Sequence, residues 1–397
     1  MKLQSVQSLR ALAALMVLLF HLIAIETDMI AHGGHTEAPM IGGLFENGYA
    51  GVDLFFVLSG FIIVFVTGRS PPGRYPIGSF LFARAARIYA PWWLFAGTMA
   101  LYLYVAYGVP WDTEQLSSLG TSPFYHLFAS VFLLPQNGFP VLNVGWTLVH
   151  EMHFYAIFAL LLAVPYRLRV VGLVAWAGAV LAGGLAGLAQ PYASSMVSLF
   201  FSPHTLEFLM GAFAALLVVN GVRPFPGLMA IAGLFALLMA MVFHELQPEW
   251  TLSWGRVIWF GIPSAVLTYG LVSLDVEGRF RSLPGLSAIG DWSYAIYLSH
   301  ILVLAAIKRS YFAFANLSEA YLGVPPWAAD LLRVGVPGPL DNLFLLVSAM
   351  IACLFVGWAT HRFFEFPILK ASGRLRGKLF SGRADGLTPQ PIRAMVW

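Results

Sequence analysis

The chain has 397 residues, of which 59% are hydrophobic and only 10% are charged, and its mean hydropathy is +0.77. Soluble domains carry about 25% charged residues, so this composition excludes a water-soluble globular protein and predicts a chain solvated mainly by lipid. The formal net charge of +3 says little about partners, and we expect no nucleic acid among them. The single cysteine, Cys353, excludes a disulfide framework and a thiolate metal site.

Ten segments are apolar and long enough to cross a bilayer, which takes about 20 residues. In chain order they are Leu9–Ile25, Tyr49–Thr67, Ile88–Tyr107, Val144–Tyr166, Val170–Ala189, Met196–Val219, Gly227–Phe243, Arg256–Leu274, Leu286–Ile307 and Leu343–Phe364. Phe124–Leu134 is apolar but covers only about half a bilayer, so we predict a re-entrant or interfacial segment there. The predicted fold is all-α, a polytopic membrane bundle of about ten transmembrane helices.

Lysine and arginine are unevenly distributed between the segments that connect these spans. With the N-terminus inside, the inner segments hold Lys2, Arg69, Arg74, Arg84, Arg87, Arg167, Arg169, Arg223, Arg279, Arg281 and the basic residues after Lys370. The outer segments hold Arg256, Lys308, Arg309 and Arg333. Because cytoplasmic loops are enriched in Lys and Arg, both termini are predicted to be cytoplasmic. We expect a multi-pass plasma (inner) membrane protein with a transmembrane domain over 1–369 and a basic cytoplasmic tail over 370–397.

The first span contains two ionisable residues, Arg10 and His21, which lie 11 positions apart. At 100° per residue this spacing is three turns plus about 20°, so both share one helix face. Ionisable groups inside a membrane are expensive and are functional candidates by default. Arg10 could instead anchor the helix at the cytoplasmic surface, and His21 could be a core histidine with a satisfied hydrogen bond.

The second span presents Asp53 within the segment Gly51–Gly60. This span runs inward, so Asp53 is predicted to lie about as deep below the outer surface as His21. A carboxylate on one imidazole nitrogen fixes the tautomer and raises the basicity of the other nitrogen. Asp53 is therefore the predicted orienter of His21, unless it only caps its own helix.

The fourth span carries Glu151 beside His150 and His153, with Tyr155 one turn further on. The His-Glu-Met-His order is similar to a zinc protease helix, but that motif needs its histidines four positions apart. Here the spacing is three, so we expect no metal.

His300 and Tyr297 share a face of the ninth span, and Glu207 lies early in the sixth. We predict that His21, Asp53 and His300 converge in the outer half of the bundle, with Glu151 and Glu207 as further members.

Arg84 and Arg87 form a cationic pair at the start of the third span. Two guanidinium groups on one face suit phosphate or pyrophosphate. Anchoring to lipid headgroups is the alternative interpretation.

Together these residues give a pattern that resembles the acyltransferase family 3 membrane proteins, which O-acetylate bacterial exopolysaccharides, O-antigens, Nod factors and macrolides. The resemblance covers most of the chain and is carried by Ser8-Leu9-Arg10 through His21, Gly51 through Phe61, the Arg84/Arg87 pair ahead of Ile88 and Pro91, Trp146 through Tyr155, Glu207 through Gly211, and Ser293 through His300. It implies that Arg10 and His21 are essential for transfer and that Arg84 and Arg87 meet the acyl-CoA donor. Ala83 departs from the family pattern, in which many members carry another arginine.

The predicted function is that of a membrane O-acyltransferase. It would move an acyl group, with acetyl the expected one, from cytoplasmic acyl-CoA (acetyl-CoA or another) to a hydroxyl of an extracytoplasmic glycan or glycolipid. His21 would act as a general base or as a covalent acyl relay. The outer segment Lys308–Asp341, with Tyr311, Tyr321 and Trp327, is the predicted acceptor-specific region. A transporter or flippase with proton-coupling residues is the alternative; a membrane sensor or scaffold would leave the placement of His21 unexplained.

Overall fold

A computed structural model describes residues 3–67, 70–190, 194–243, 254–335 and 339–380. The helices are α1 Gln4–His32, α2 Ala50–Thr67, α3 Arg74–Tyr107, α4 Thr113–Leu119, α5 Pro123–Phe132, α6 Trp146–Leu161, α7 Tyr166–Leu185, α8 Met196–Phe200, α9 His204–Val219, α10 Pro226–Phe243, α11 Trp254–Arg256, α12 Ile262–Val276, α13 Pro284–Tyr321, α14 Pro326–Asp330, α15 Pro339–Thr360 and α16 Phe366–Phe380. Short 3-10 turns cover Gly43–Asn47 and Asn143–Gly145, and π-helical turns cover Val257–Gly261 and His361–Glu365. Within the described ranges there is no strand.

Ten helical stretches in the described part of the chain are long and apolar enough to span a membrane. This confirms the predicted all-α fold of about ten transmembrane helices. Helices satisfy their own backbone hydrogen bonds, which is what a hydrocarbon solvent requires. Large apolar side chains such as Val105, Ile231 and Phe355 point away from the protein interior, as lipid-facing residues do. The cytoplasmic location of both termini stays a prediction.

The predicted short segment Phe124–Leu134 forms the ten-residue helix α5. Two indole groups of α3 hold it: Trp92 Nε1 donates to Ser130 O and Trp93 Nε1 to Val131 O, each at 2.9 Å. The segment is therefore tied to the bundle, and its re-entrant or interfacial nature stays a prediction.

Two helices extend beyond their predicted ends. The ninth span was expected to end at Ile307, but α13 continues to Tyr321, and α16 carries the last span on to Phe380. The first part of the predicted cytoplasmic tail is thus helical, and the Phe380 ring lies 6.0 Å from that of Phe82 on α3. The basic residues Lys2, Arg69, Arg383 and Arg393, which entered the orientation argument, lie outside the described residues.

Glycines allow the central helices to approach closely. A Cβ on Gly60 of α2 would lie 1.8 Å from the Phe208 carbonyl oxygen, and one on Gly211 of α9 would lie 1.9 Å from that of Val57. No side chain fits such distances, so α2 and α9 touch backbone to backbone. Small residues have this role in membrane bundles, where close packing drives helix association.

Helices α1 and α13 contact each other at three levels. A Cβ on Gly290 of α13 would lie 2.0 Å from the Gln7 carbonyl oxygen. Further along, His21 meets His300, and Asp28 forms an ion pair with Lys308. The two helices therefore run side by side in the same direction, which brings the histidines of the first and ninth spans together.

Candidate active site

A cavity with a polar wall opens between α1, α2, α3, α6 and α13. Its lining residues are Arg10, Val52, Phe55, Phe56, Leu58, Ser59, Ile62, Arg84, Arg87, Ile88, Thr147, Leu148, Glu151, Tyr155, Tyr294 and Tyr297. The three arginines that the sequence assigned to catalysis or donor binding thus share one cavity with one acid, Glu151. Their excess positive charge makes the cavity suited to an anion.

Aromatic rings hold two of these arginines in place. The Arg84 guanidinium carbon lies 5.6 Å from the Phe80 ring centre and 5.5 Å from that of Tyr155, and the side chain is only 8% exposed. The Arg87 guanidinium carbon lies 5.8 Å from the Tyr294 ring centre. Stacking on a ring fixes the plane of a guanidinium group and therefore the directions in which its N–H donors point.

Arg10 is buried, with 7% of its surface exposed, and it lines the same cavity. It makes no hydrogen bond with any residue in the described ranges. A headgroup anchor would be expected to point out to the membrane surface, so this geometry favours a role inside the cavity. A buried guanidinium without a hydrogen-bond partner favours a ligand that supplies acceptor atoms.

Glu151 is fixed to the cavity wall by two hydroxyl groups. Ser59 Oγ donates to Glu151 Oε1 at 2.8 Å, and the Tyr155 hydroxyl donates to the same oxygen. The predicted convergence of Glu151 with His21 is wrong, because Glu151 lies among the arginines of the cavity. It balances part of their charge.

Tyr297 separates this cavity from a histidine pair. Its hydroxyl bonds to Thr147 Oγ1 at 2.8 Å and donates to Val144 O at 3.1 Å, which fixes the ring. The ring centre lies 5.8 Å from those of Phe55 and His300. Tyr297 thus lines the cavity on one side and contacts His300 on the other.

The structure brings His21 and His300 into direct contact. His300 Nε2 lies 3.3 Å from His21 Nδ1, and the ring centres are 4.8 Å apart. His21 Nδ1 also lies 2.9 Å from the Val17 carbonyl oxygen, one turn back on α1. His300 is buried, at 1% exposure, whereas His21 is half-buried.

Asp53 does not contact His21, so the predicted pairing is wrong. Both carboxylate oxygens face Arg256: Nε donates to Oδ1 at 3.2 Å and Nη2 to Oδ2 at 2.6 Å. A buried carboxylate is strongly favoured to pair with a guanidinium group, which matches its two oxygens. The predicted depths were also inaccurate: a Cβ on Gly48 would lie 2.3 Å from Met16 O and one on Gly51 2.3 Å from Ala13 O, so Asp53 lies nearer the start of α1 than His21 does.

Glu207 also joins Asp53 rather than His21. Glu207 and His204 are fully buried, with His204 Nδ1 3.6 Å from Glu207 Oε2. Asp53, His204 and Glu207 offer ligand atoms within 4.8 Å of one another, as a metal site would. Since both Asp53 oxygens already accept from Arg256, a metal ion would have to displace that guanidinium.

Sequence reasoning missed Arg256, Ser59 and Tyr294 as site residues. Arg256 precedes an apolar run and therefore had the pattern of a membrane-end arginine. Ser59 lies in the same Gly51–Gly60 segment as Asp53, where its polarity was a usable signal. The ring of Tyr294 could be assigned to the cavity only once its distance to Arg87 was known.

The bundle and its buried polar groups define a multi-pass membrane protein with an enzyme-like interior cavity. The model of acyltransferase family 3, described as an acyltransferase domain, matches residues 3–366. The chain belongs to this family and is an acyltransferase of groups other than aminoacyl groups.

Relatives with curated names agree with this assignment. The exopolysaccharide production protein ExoZ of Rhizobium meliloti (strain 1021) is 31% identical over 356 residues, covering 85% of this chain and 95% of its own length. The acyltransferase MdmB of Streptomyces mycarofaciens is 28% identical over 335 residues, covering 75% of this chain and 81% of its own. No solved structure matches the chain.

Proposed function

We propose that this acyltransferase moves an acyl group, with acetyl the expected one, from acyl-CoA to a hydroxyl of a glycan or glycolipid. One observation carries the proposal: Arg10, Arg84 and Arg87 line a single cavity in a member of an acyltransferase family. Coenzyme A carries several phosphate charges at its nucleotide end, and a long thin uncharged arm leads from there to the thioester. Guanidinium groups bind phosphate strongly because their donors match its oxygens.

The donor would enter at the arginine end of the cavity. Arg84 and Arg87, in the first half of α3, would hold its phosphates at the face predicted to be cytoplasmic. The acyl end would then point past Tyr297 towards His21. Arg10 and His21 lie 11 residues apart on α1, or about 16 Å along the helix axis, so Arg10 would hold the donor rather than touch the reacting atoms.

His21 would act as the general base. Its free ring nitrogen takes the proton of the acceptor hydroxyl, whose oxygen attacks the thioester carbonyl carbon. The carbon–sulfur bond breaks, and the leaving thiolate takes the proton from the imidazolium to give free CoA. The products are the ester and CoA, and His21 returns to its starting state.

The acceptor is proposed to be an extracytoplasmic glycan. The printed name of ExoZ refers to exopolysaccharide production, which supports a sugar hydroxyl. In the predicted acceptor region, Tyr321 and Trp327 are 81% and 70% exposed, and aromatic faces suit sugar rings. Tyr311 is less suited, because it stacks on Phe344 and its hydroxyl bonds to Ser348.

Purified protein incubated with acetyl-CoA tests this proposal. Free CoA should appear only when a glycan with open hydroxyls is added, and the glycan should gain the mass of an acyl group. The protein is proposed to lie in the plasma (inner) membrane. Deleting its gene should therefore remove that acyl mass from the glycan at the cell surface. Movement of a solute across vesicles without release of CoA would overturn the proposal and favour a transporter.

A further inference from the structure

The His21 and His300 rings make three short contacts, and these together determine which ring nitrogen of each histidine carries the proton. His21 Nδ1 lies 2.9 Å from Val17 O, His300 Nδ1 lies 3.2 Å from Ile296 O, and His300 Nε2 lies 3.3 Å from His21 Nδ1. A backbone carbonyl oxygen can only accept. Both carbonyl contacts are therefore hydrogen bonds only if both histidines carry their proton on Nδ1.

One assignment satisfies all three contacts. With its proton on Nδ1, neutral His300 has a lone pair on Nε2, and this atom accepts from His21 Nδ1–H. The His21 proton is then shared between Val17 O and His300 Nε2. In the opposite assignment His300 Nε2 donates to His21 Nδ1, and both carbonyl contacts are lost. The first assignment leaves the lone pair of His21 on Nε2.

We propose that His300 is a positioning residue that holds His21 in the tautomer whose Nε2 is free to act as a base. It takes the place in which the sequence had predicted Asp53. Its burial on α13, whose close contact with α1 is fixed at Gly290, keeps the acceptor nitrogen in line. This inference rests on the proposed function of His21 as general base.

The same contact helps in the transition state. When His21 Nε2 takes the proton of the acceptor hydroxyl, the ring becomes a cation, and its Nδ1–H bond to His300 becomes charge-assisted and stronger. His300 remains a neutral acceptor throughout, and the proton on Nε2 passes to the CoA thiolate. The contact thus favours the charged state more than the ground state, which is what raises kcat.

The test compares three variants of His300. His300→Gln places an amide oxygen near the position of Nε2, His300→Asn carries the same amide one carbon shorter, and His300→Leu has no acceptor. We expect His300→Leu and His300→Asn to lower kcat by a factor of about ten or more. The loss should not exceed the factor of about 10²–10⁴ that a general base contributes as a whole. His300→Gln should recover most of the rate. KM for acyl-CoA should stay unchanged in all three, because His300 lies outside the cavity that binds the donor.

A native kcat in His300→Leu, or equal losses in the glutamine and asparagine variants, would overturn the inference. If the leucine variant does not accumulate, the glutamine and asparagine pair decides alone, since both keep a polar side chain. His21→Gln separates the two claims. If His21→Gln is inactive while His300→Leu is native-like, only the positioning role fails; if His21→Gln is active, the proposed base itself fails.

Discussion

At the scale of single residues, Asp53 and Arg256 form an ion pair that is almost completely buried, at 0% and 1% exposure. Removing one partner of such a pair leaves a charge without compensation in a medium of low dielectric constant, which costs about 3–5 kcal/mol. We therefore expect Asp53→Asn to destabilise the protein by about that amount, seen as a lower Tm in detergent.

Asp28→Asn is the matched control for this change. Asp28 is 40% exposed and pairs with Lys308, and exposed pairs contribute only about 0–1 kcal/mol. Equal effects of the two substitutions would contradict the structural role of Asp53.

Arg84 and Arg87 give a prediction on donor binding. Replacing either with alanine should raise the apparent KM for acyl-CoA about tenfold to a hundredfold, since a charge-assisted hydrogen bond contributes about 1.5–3 kcal/mol. Arg167→Ala is the control, because this exposed arginine lies outside the cavity. If the Arg84/Arg87 double variant binds acyl-CoA as the native protein does, both residues serve only to anchor the helix to lipid headgroups.

Part of the site follows from residue spacing alone. Helical geometry places Arg10 and His21 on one face and makes Arg84 and Arg87 a pair. Partners from distant helices do not follow, because hydropathy gives only the approximate depth of a side chain and says nothing about its direction. This is why Asp53 was assigned to His21 instead of Arg256, and why Glu151 was placed in the wrong group.

At the scale of elements, the contact between α1 and α13 sets the distance between His21 and His300. Any Cβ at Gly290 would collide with the Gln7 carbonyl oxygen, so Gly290→Ala must push the helices apart. Overpacking of this kind costs about 1–3 kcal/mol, and kcat should fall because the histidines separate.

Gly285→Ala provides the control on the same helix, since nothing lies within 4 Å of a Cβ there. Tm and kcat are measured for both variants. If both variants matched the native protein, the close approach of α1 and α13 would be refuted.

Helix ends were less predictable than helix existence. Apolar runs give the spans, but a helix continues after its apolar run until a residue stops it. In α13 that stop is Gly323, with φ +59, and Ile307 is only where the lipid-facing pattern ends. In the last span Pro367 cannot donate a backbone hydrogen bond. A π-helical turn at His361–Glu365 precedes this point, and α16 then continues from Phe366 to Phe380.

At the scale of the whole molecule, the proposed function has the donor and the acceptor reach the site from opposite faces of the membrane. Single cysteines at Thr36 and Arg374, both exposed, should therefore be labelled from opposite sides of the membrane. Native Cys353 is fully buried, so it should not contribute. Labelling of both positions from the same side would contradict the predicted orientation.

In the proposed mechanism His21 removes the acceptor proton while a separate arginine-lined cavity binds the donor. His21→Gln tests it most directly, because glutamine keeps hydrogen bonding and loses basicity. In purified protein we expect the rate of acyl transfer to fall by about 10²–10⁴-fold, while acyl-CoA binding and Tm stay native. Transfer by His21→Gln at close to the native rate would contradict the account and make His21 a structural histidine.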